Sequence, residues 1–160
     1  MPPVPSPEPA FLRESKSIRT FSHSLEGVIE EATIGIQEYQ ILKHFTLKNS
    51  FPRSTGIWAV PTGGDIERGL VRWLEEVLYR GYGEGQWLVE SSISVSNEYV
   101  TGHVSWVDAD LVDREIEVKA ITMHELVLRE VQEGEIVVGE HPGVPDFEGP
   151  GWMSQVILDI

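Results

Sequence analysis

The spacing of hydrophobic residues changes along the chain and separates a helical part from a strand-rich part. Over residues 25–42 the apolar positions recur every three or four residues, which is typical of an amphipathic helix with one face on a core. Ser24 precedes this run and predicts its N-cap. The same spacing over residues 66–78 predicts a second helix, with Asp65 as its N-cap and Gly81 as the glycine at its C-terminal end.

After the second helix, apolar residues alternate with polar ones, which predicts β-strands. The strand segments predicted in the chain cover residues 17–21, 87–95, 99–106, 115–129, 135–138 and 152–160, and residues 57–60 are a brief buried strand or a connector. One face is expected to carry Trp87, Val89, Ile93 and Val95, and another Ile116, Val118, Ala120, Leu126 and Leu128. Residues 139–151 are rich in Gly and Pro and are expected to form a loop without regular structure.

These elements predict an α+β protein. Strands that follow one another through hairpins favour a two-layer sandwich, in which a mainly antiparallel sheet of about six strands carries two helices on one face. A length of 160 residues is typical of one domain. Residues 1–10 are proline-rich and predict a disordered tail, so the single domain is expected to span residues 11–160.

Composition narrows the possible functions. The chain has no Cys, which excludes disulfides, cysteine–zinc sites and thiol catalysis. Residues 81–160 contain 3 basic and 16 acidic residues, and no Lys or Arg follows Arg129. Such an acidic half repels phosphate backbones, which argues against direct nucleic-acid binding, and it attracts a basic partner or a hard cation. With neither a signal peptide nor an apolar run of membrane-spanning length, a soluble cytoplasmic protein is expected.

His124 is a candidate for function because of its place in a predicted strand. Together with Thr122 it alternates onto the same face as Ala120, where the pattern predicts the core. A polar group on such a face costs free energy unless it finds a hydrogen-bonding partner. Two interpretations stay open: a His–Thr pair that pins the sheet, or a contact to a ligand or partner.

The last two residues, Asp159 and Ile160, place a side-chain carboxylate beside the main-chain carboxylate. Oxygen-rich corners of this kind suit Ca²⁺ or Mg²⁺, although calcium takes about 6–8 oxygens. The alternative is an exposed acid at the end of a frayed strand.

Several segments together resemble the archease family. Residues 118–126, Val-Lys-Ala-Ile-Thr-Met-His-Glu-Leu, resemble its Val-Lys-Ala-Val-Thr-Tyr-His strand. Residues 156–160, Val-Ile-Leu-Asp-Ile, resemble its Asp-Ile or Asp-Val ending, with Trp152 upstream. Residues 70–79 resemble its second helix, and residues 18–26 its first strand and the start of its first helix. The order is collinear over about residues 11–160.

The resemblance implies an α+β fold and a role in tRNA splicing. Archeases are protein cofactors of the RtcB-type RNA-splicing ligase, which joins tRNA halves with GTP and a divalent metal. They help the ligase to reach its guanylylated state repeatedly and are not themselves the catalyst. The implied function is therefore a non-enzymatic activator with a basic ligase as its partner, and the implied partner-binding residues are His124, Thr122 and Lys119.

The family also implies a metal-binding acidic corner, and here the chain departs from the pattern. The family forms this corner from an N-terminal Asp, in an Asp-His-Thr-Ala-Asp stretch, and the Asp near the C-terminus. This chain has Phe-Leu-Arg-Glu-Ser-Lys-Ser-Ile at residues 11–18, where Glu14 is the only acid. The candidate ligands for Ca²⁺ or Mg²⁺ are therefore Asp159, Ile160 and Glu14.

Two other functions are compatible with the residues. A small-molecule or peptide-binding module that has lost the ligase role would have a pocket lined by Trp58, Trp87 or Trp106 and closed by the 139–151 loop. A metal-dependent hydrolase would use His124 and Asp159, although no sequence feature supplies a nucleophile next to a base.

Overall fold

A computed structural model describes residues 15–139 and 145–160 of the chain. The predicted tail, Glu14 and residues 140–144 of the predicted loop lie outside this range. In chain order the elements are β1 (Ser15–Ser22), α1 (Leu25–Gln40), β2 (Ser54–Pro61), α2 (Ile66–Gly83), β3 (Gln86–Val95), β4 (Tyr99–Asp108), a 3₁₀ turn (Ala109–Leu111), β5 (Ala120–Val131), β6 (Ile136–Val137), β7 (Phe147–Glu148) and β8 (Gly151–Asp159).

Both helices begin where the sequence predicts. The Ser24 hydroxyl accepts the Gly27 N–H of α1 at 3.0 Å, and a carboxylate oxygen of Asp65 caps α2. Gly81, however, does not end α2, which continues to Gly83. A Cβ at Gly81 would lie 3.4 Å from the Trp87 ring, an ordinary van der Waals distance. Neither helix in the described ranges is long and apolar enough to cross a membrane.

The strands form two antiparallel three-stranded sheets and a short ribbon. The first sheet has the order β1-β8-β5, the second has the order β2-β4-β3, and β6 pairs with β7. The α+β class, with two helices and antiparallel strands, is confirmed, and the six long strands are divided between two sheets. The prediction of no regular structure over 139–151 is wrong at Phe147–Glu148, which pairs with β6.

A bulge in β3 divides its side chains between two apolar clusters. The register with β4 shifts between Leu88 and Glu90. Before the shift, Trp87 packs in a small cluster with Val107, whereas Ile93 lies beyond the shift in the main core. The prediction that Trp87 and Ile93 share one face is therefore wrong, because an extra residue reverses the alternation.

Strand β5 begins later than the spacing predicts. The Glu115 and Ile116 amides donate to the Gln40 carbonyl at the end of α1, which holds this segment away from a strand ladder. Within β5, Ile121 is buried in the main core. Because side chains alternate along a strand, Ala120 lies on the opposite, outer face, so its predicted core position is wrong.

The main core lies where both helices meet both three-stranded sheets. The fully buried Trp73 of α2 donates its indole N–H to the Thr33 hydroxyl of α1 at 2.9 Å, and that hydroxyl donates to the Ile29 carbonyl at 2.7 Å. Gly102 of β4 leaves space for the Trp73 ring, which a Cβ at that position would overlap. This packing fixes the sheets relative to the helices.

Side chains of α1 cover the open edge of β3. The Glu30 carboxylate accepts the Ile93 N–H at 2.8 Å, and the Gln37 side-chain amide donates to the Leu88 carbonyl at 2.9 Å. Backbone groups of this edge strand are therefore satisfied without another strand.

Candidate functional site

Asp159 occupies a defined position at the end of the central strand of the first sheet. It pairs with Ser15 of β1 on one side and with Ala120 of β5 on the other. Its carbonyl accepts the Lys119 N–H at 2.7 Å. The neighbouring Leu158 is fully buried, so alternation places the exposed Asp159 carboxylate on the outer face of the sheet.

Strand β5 bulges in the middle of the segment that resembles the archease strand. Thr122 pairs with Ile157, and the next pair is Val127 with Gln155, so four residues of β5 stand opposite one residue of β8. Within this bulge Glu125 has a φ of 52°, in the left-handed region that non-glycine residues seldom adopt.

The bulge exposes His124 instead of directing it toward the core. Its side chain is 79% exposed, and its Nε2 lies 3.9 Å from a carboxylate oxygen of Glu125. The Thr122 hydroxyl accepts the His124 backbone N–H at 3.2 Å. The predicted core-facing positions of Thr122 and His124 are therefore wrong. Ala120 and Thr122, whose face His124 was expected to share, pair with Asp159 and Ile157, and the buried Ile121 and Leu158 mark the opposite face as the core side. An exposed imidazole is available to a partner.

Gln155 of β8 connects the bulge to β1. Arg19 donates to the Gln155 side-chain oxygen from Nε at 3.2 Å and from Nη2 at 2.9 Å. Gln155 in turn donates to the Glu125 carbonyl at 3.3 Å. We define the bulge surface as Thr122, His124, Glu125 and Gln155. Gln155 has no signal in the sequence, because an outward polar residue in a strand has no distinguishing pattern.

The structure brings some of the predicted site residues together and separates others. Thr122 and His124 are joined by a hydrogen bond, and Asp159 contacts the Lys119 backbone. Thr122 lies two residues along β5 from the partner of Asp159, or roughly 7 Å, and His124 lies beyond it. Lys119 lies just before β5, its side chain is exposed, and its described contact with Asp159 is through its backbone N–H.

The described residues supply only part of a ligand set for a hard cation. In residues 15–139 and 145–160, no three His, Asp or Glu side chains converge on one point. Asp159 provides one carboxylate, whereas calcium takes about 6–8 oxygens. These residues do not by themselves fit Ca²⁺ or Mg²⁺, and the contribution of Glu14 lies outside the described ranges.

The tryptophans considered for a ligand pocket are largely core residues. Trp58 and Trp87 are 3% and 2% exposed, and the Trp58 ring contacts the rings of Trp73 and Trp106. The described part of the 139–151 loop packs elsewhere, with Phe147 stacked on Phe21 of β1 at 5.0 Å between ring centroids. A pocket formed by these tryptophans and closed by that loop is therefore not supported.

These features define a small α+β protein that presents an acidic strand end and a bulged edge strand on the outer face of one sheet. A family model described as the archease protein family (MTH1598/TM1083) matches residues 17–160. The chain therefore belongs to the archease family.

The fold agrees with a solved structure. The solution structure of Methanobacterium thermoautotrophicum protein 1598 is similar, with a TM-score of 0.56 and 18% sequence identity. The alignment covers 92% of this chain and 93% of that one. No curated protein sequence gives a significant match.

Proposed function

We propose that this protein is an accessory factor that activates an RNA-splicing ligase of the tRNA-processing type by promoting its guanylylation and its use of GTP and metal. Membership of the archease family over residues 17–160 carries the proposal. The protein acts as a cofactor of the ligase and leaves the joining of RNA to the ligase itself.

The outer face of the first sheet is the proposed contact with the ligase. Asp159 ends the central strand there, and the β5 bulge projects His124 from the edge strand. Bulges on edge strands commonly redirect a side chain toward a functional site. The net charge of -13 over residues 81–160 complements an RNA ligase, whose substrate-binding surface is basic.

Metal binding by this protein, if it contributes to activation of the ligase, is part of the same proposal. Asp159, Ile160 and Glu14 remain the candidate oxygen ligands, and the ligase would have to supply further ligands. Titration with Ca²⁺, Mg²⁺ and Mn²⁺, for the protein alone and with the ligase, tests this role. If the Asp159→Ala variant binds metal as the wild-type protein does, Asp159 is not a metal ligand.

The activation assay follows repeated guanylylation of limiting ligase with labelled GTP and Mn²⁺, with and without this protein. We expect His124→Ala and Asp159→Asn to lose most of the stimulation. His103→Ala on β4 and Asp110→Asn in the 3₁₀ turn are matched controls, because both residues are exposed and lie outside the first sheet.

The outcomes test the proposed ligase activation and the proposed contact surface separately. If the wild-type protein neither binds the ligase nor increases its turnover, the proposed function is rejected. If the wild-type protein stimulates the ligase and all four variants do so equally, the activity stands, and the assignment to this outer face is wrong.

A further inference from the structure

A groove between α2 and the segment before β5 has features that suit a cation. It has a volume of about 380 Å³, and none of the residues of the bulge surface lines it. Its lining comprises Glu75, Leu78, Tyr79, Tyr82, Glu117, Val118 and Lys119. The groove is near the end of β8, because Lys119 donates its backbone N–H to Asp159.

Two tyrosines supply aromatic surface in the groove. Tyr79 is 55% exposed and Tyr82 is 37% exposed, so both rings are accessible from the groove. The face of an aromatic ring attracts a guanidinium or ammonium group. The Arg114 guanidinium already lies 5.1 Å from the centroid of Tyr82, so this ring holds an arginine of the chain itself and Tyr79 is the main ring for an added cation.

The Tyr79 ring is held in place by its neighbours on α2. A Cβ at Gly83 would lie 2.8 Å from this ring, so the absence of a side chain there lets the ring lie along the helix. The Tyr79 hydroxyl donates to a carboxylate oxygen of Glu84 at 2.7 Å. The ring is therefore positioned before any partner arrives, which lowers the entropy cost of binding.

Glu75 supplies negative charge at the same place. Partial burial raises the pKa of its carboxyl group above the ordinary value, so the ionised form is incompletely solvated. No Lys or Arg in the described ranges lies within ion-pair distance of Glu75. A cation in the groove would compensate for the lost solvation, and Glu117 adds a second carboxylate on the opposite wall.

We propose that this groove, formed by Tyr79, Tyr82, Glu75 and Glu117, binds an arginine side chain from a basic segment of the partner protein. The proposal deepens the proposed function, on which the choice of a basic protein as occupant rests. Stacking on tyrosine and pairing with carboxylates favour the planar guanidinium over the compact ammonium of lysine. Lys119 also lines the groove, where its charge opposes the incoming arginine.

The test measures binding of a dodecapeptide of alternating Gly and Arg by isothermal titration and by backbone amide NMR. We expect shifts at residues 75–82 and 117–119, with no comparable response to the same peptide carrying citrulline in place of arginine. Tyr79→Ala and Glu75→Gln should each weaken binding about fivefold. Lys119→Gln should strengthen it.

Matched variants control for charge and for folding. Glu38→Gln makes the same charge change on α1, and Tyr99→Ala removes a similarly exposed tyrosine from β4. Both should bind the peptide like the wild-type protein. Circular dichroism and urea unfolding confirm that each variant is folded before its affinity is compared.

Three results would overturn the proposal: shifts spread over the whole acidic surface, equal weakening by Glu75→Gln and Glu38→Gln, or equal affinity for the citrulline peptide. The ligase assay is independent of this test. Stimulation of the ligase without peptide binding in the groove would reject the groove alone. If the peptide binds in the groove but the protein does not stimulate the ligase, the proposed function is rejected and the groove remains a site for arginine.

Discussion

Gln155 offers a direct test of how the β5 bulge is held. Gln155→Leu removes the hydrogen bond to the Glu125 carbonyl and both bonds from Arg19 while keeping a side chain of similar length. A hydrogen bond contributes about 0.5–1.5 kcal/mol net, and bonds to a charged group contribute more. Since these bonds are only partly buried, we expect the free energy of unfolding to fall by about 1–2 kcal/mol.

The local effect should exceed the effect elsewhere in the protein. Glu125 occupies a left-handed conformation that costs a non-glycine residue about 1–2 kcal/mol, so the bulge depends on such external support. A loss of about 1.4 kcal/mol makes the open state about tenfold more populated, and amides that exchange through it do so about tenfold faster. We therefore expect the amides of residues 123–126 to exchange with deuterium up to about tenfold faster.

The assay combines hydrogen exchange with urea unfolding. Gln132→Leu is the matched control, because Gln132 is exposed in the turn after β5. Glu125→Gly should offset part of the loss in a double variant, since glycine adopts a positive φ at little cost. Unchanged exchange at residues 123–126 in Gln155→Leu would refute the view that Gln155 holds the bulge.

Three further predictions concern the core and a surface pair. Thr33→Val leaves the buried Trp73 indole N–H without its acceptor, and urea unfolding should show a loss of about 1–3 kcal/mol, whereas Thr33→Ser should lose less. Gly102→Ala forces a Cβ into the Trp73 ring and should cost about 1–3 kcal/mol in the same assay; an unchanged midpoint would contradict the packing described here. The hydrogen bond from Arg129 holds the pKa of Glu135 at about 2. The stabilising contribution of the ionised Glu135 is therefore present above pH 4.5 and is lost as the pH falls toward 2. Carboxyl NMR titration should show this pKa, and Arg129→Gln should return it toward 4.5.

The sequence was sufficient for those parts of the fold that depend on local chemistry. Ser24 and Asp65 mark both helix starts, because a side-chain oxygen before an amphipathic run satisfies free amides of the first turn. Gly81 misled because α2 runs on past it to Gly83, with Glu84 as the C-cap. Local pattern does not distinguish a glycine that ends a helix from one within its last turn.

The geometry of the candidate site was less predictable. Residues 118–124 alternate smoothly, yet the bulge after Thr122 arises from how β5 pairs with β8, a contact between distant segments. The exposure of His124 follows from that pairing and has no signal in the strand itself. Asp159 was a candidate from its carboxylate beside that of Ile160 and from its resemblance to the family's ending, and only the register shows that it lies on the outer face beside Ala120.

The way in which α1 covers β3 has a consequence for behaviour at high concentration. An uncovered strand can template pairing with another molecule, which leads to domain swapping or fibrils. Glu30 and Gln37 occupy backbone groups that a foreign strand would need, so β3 is protected from self-association by side chains of a helix. Shortening Glu30 would remove part of that protection, whereas shortening the buried Gln37 would also break its hydrogen bond with Gln40.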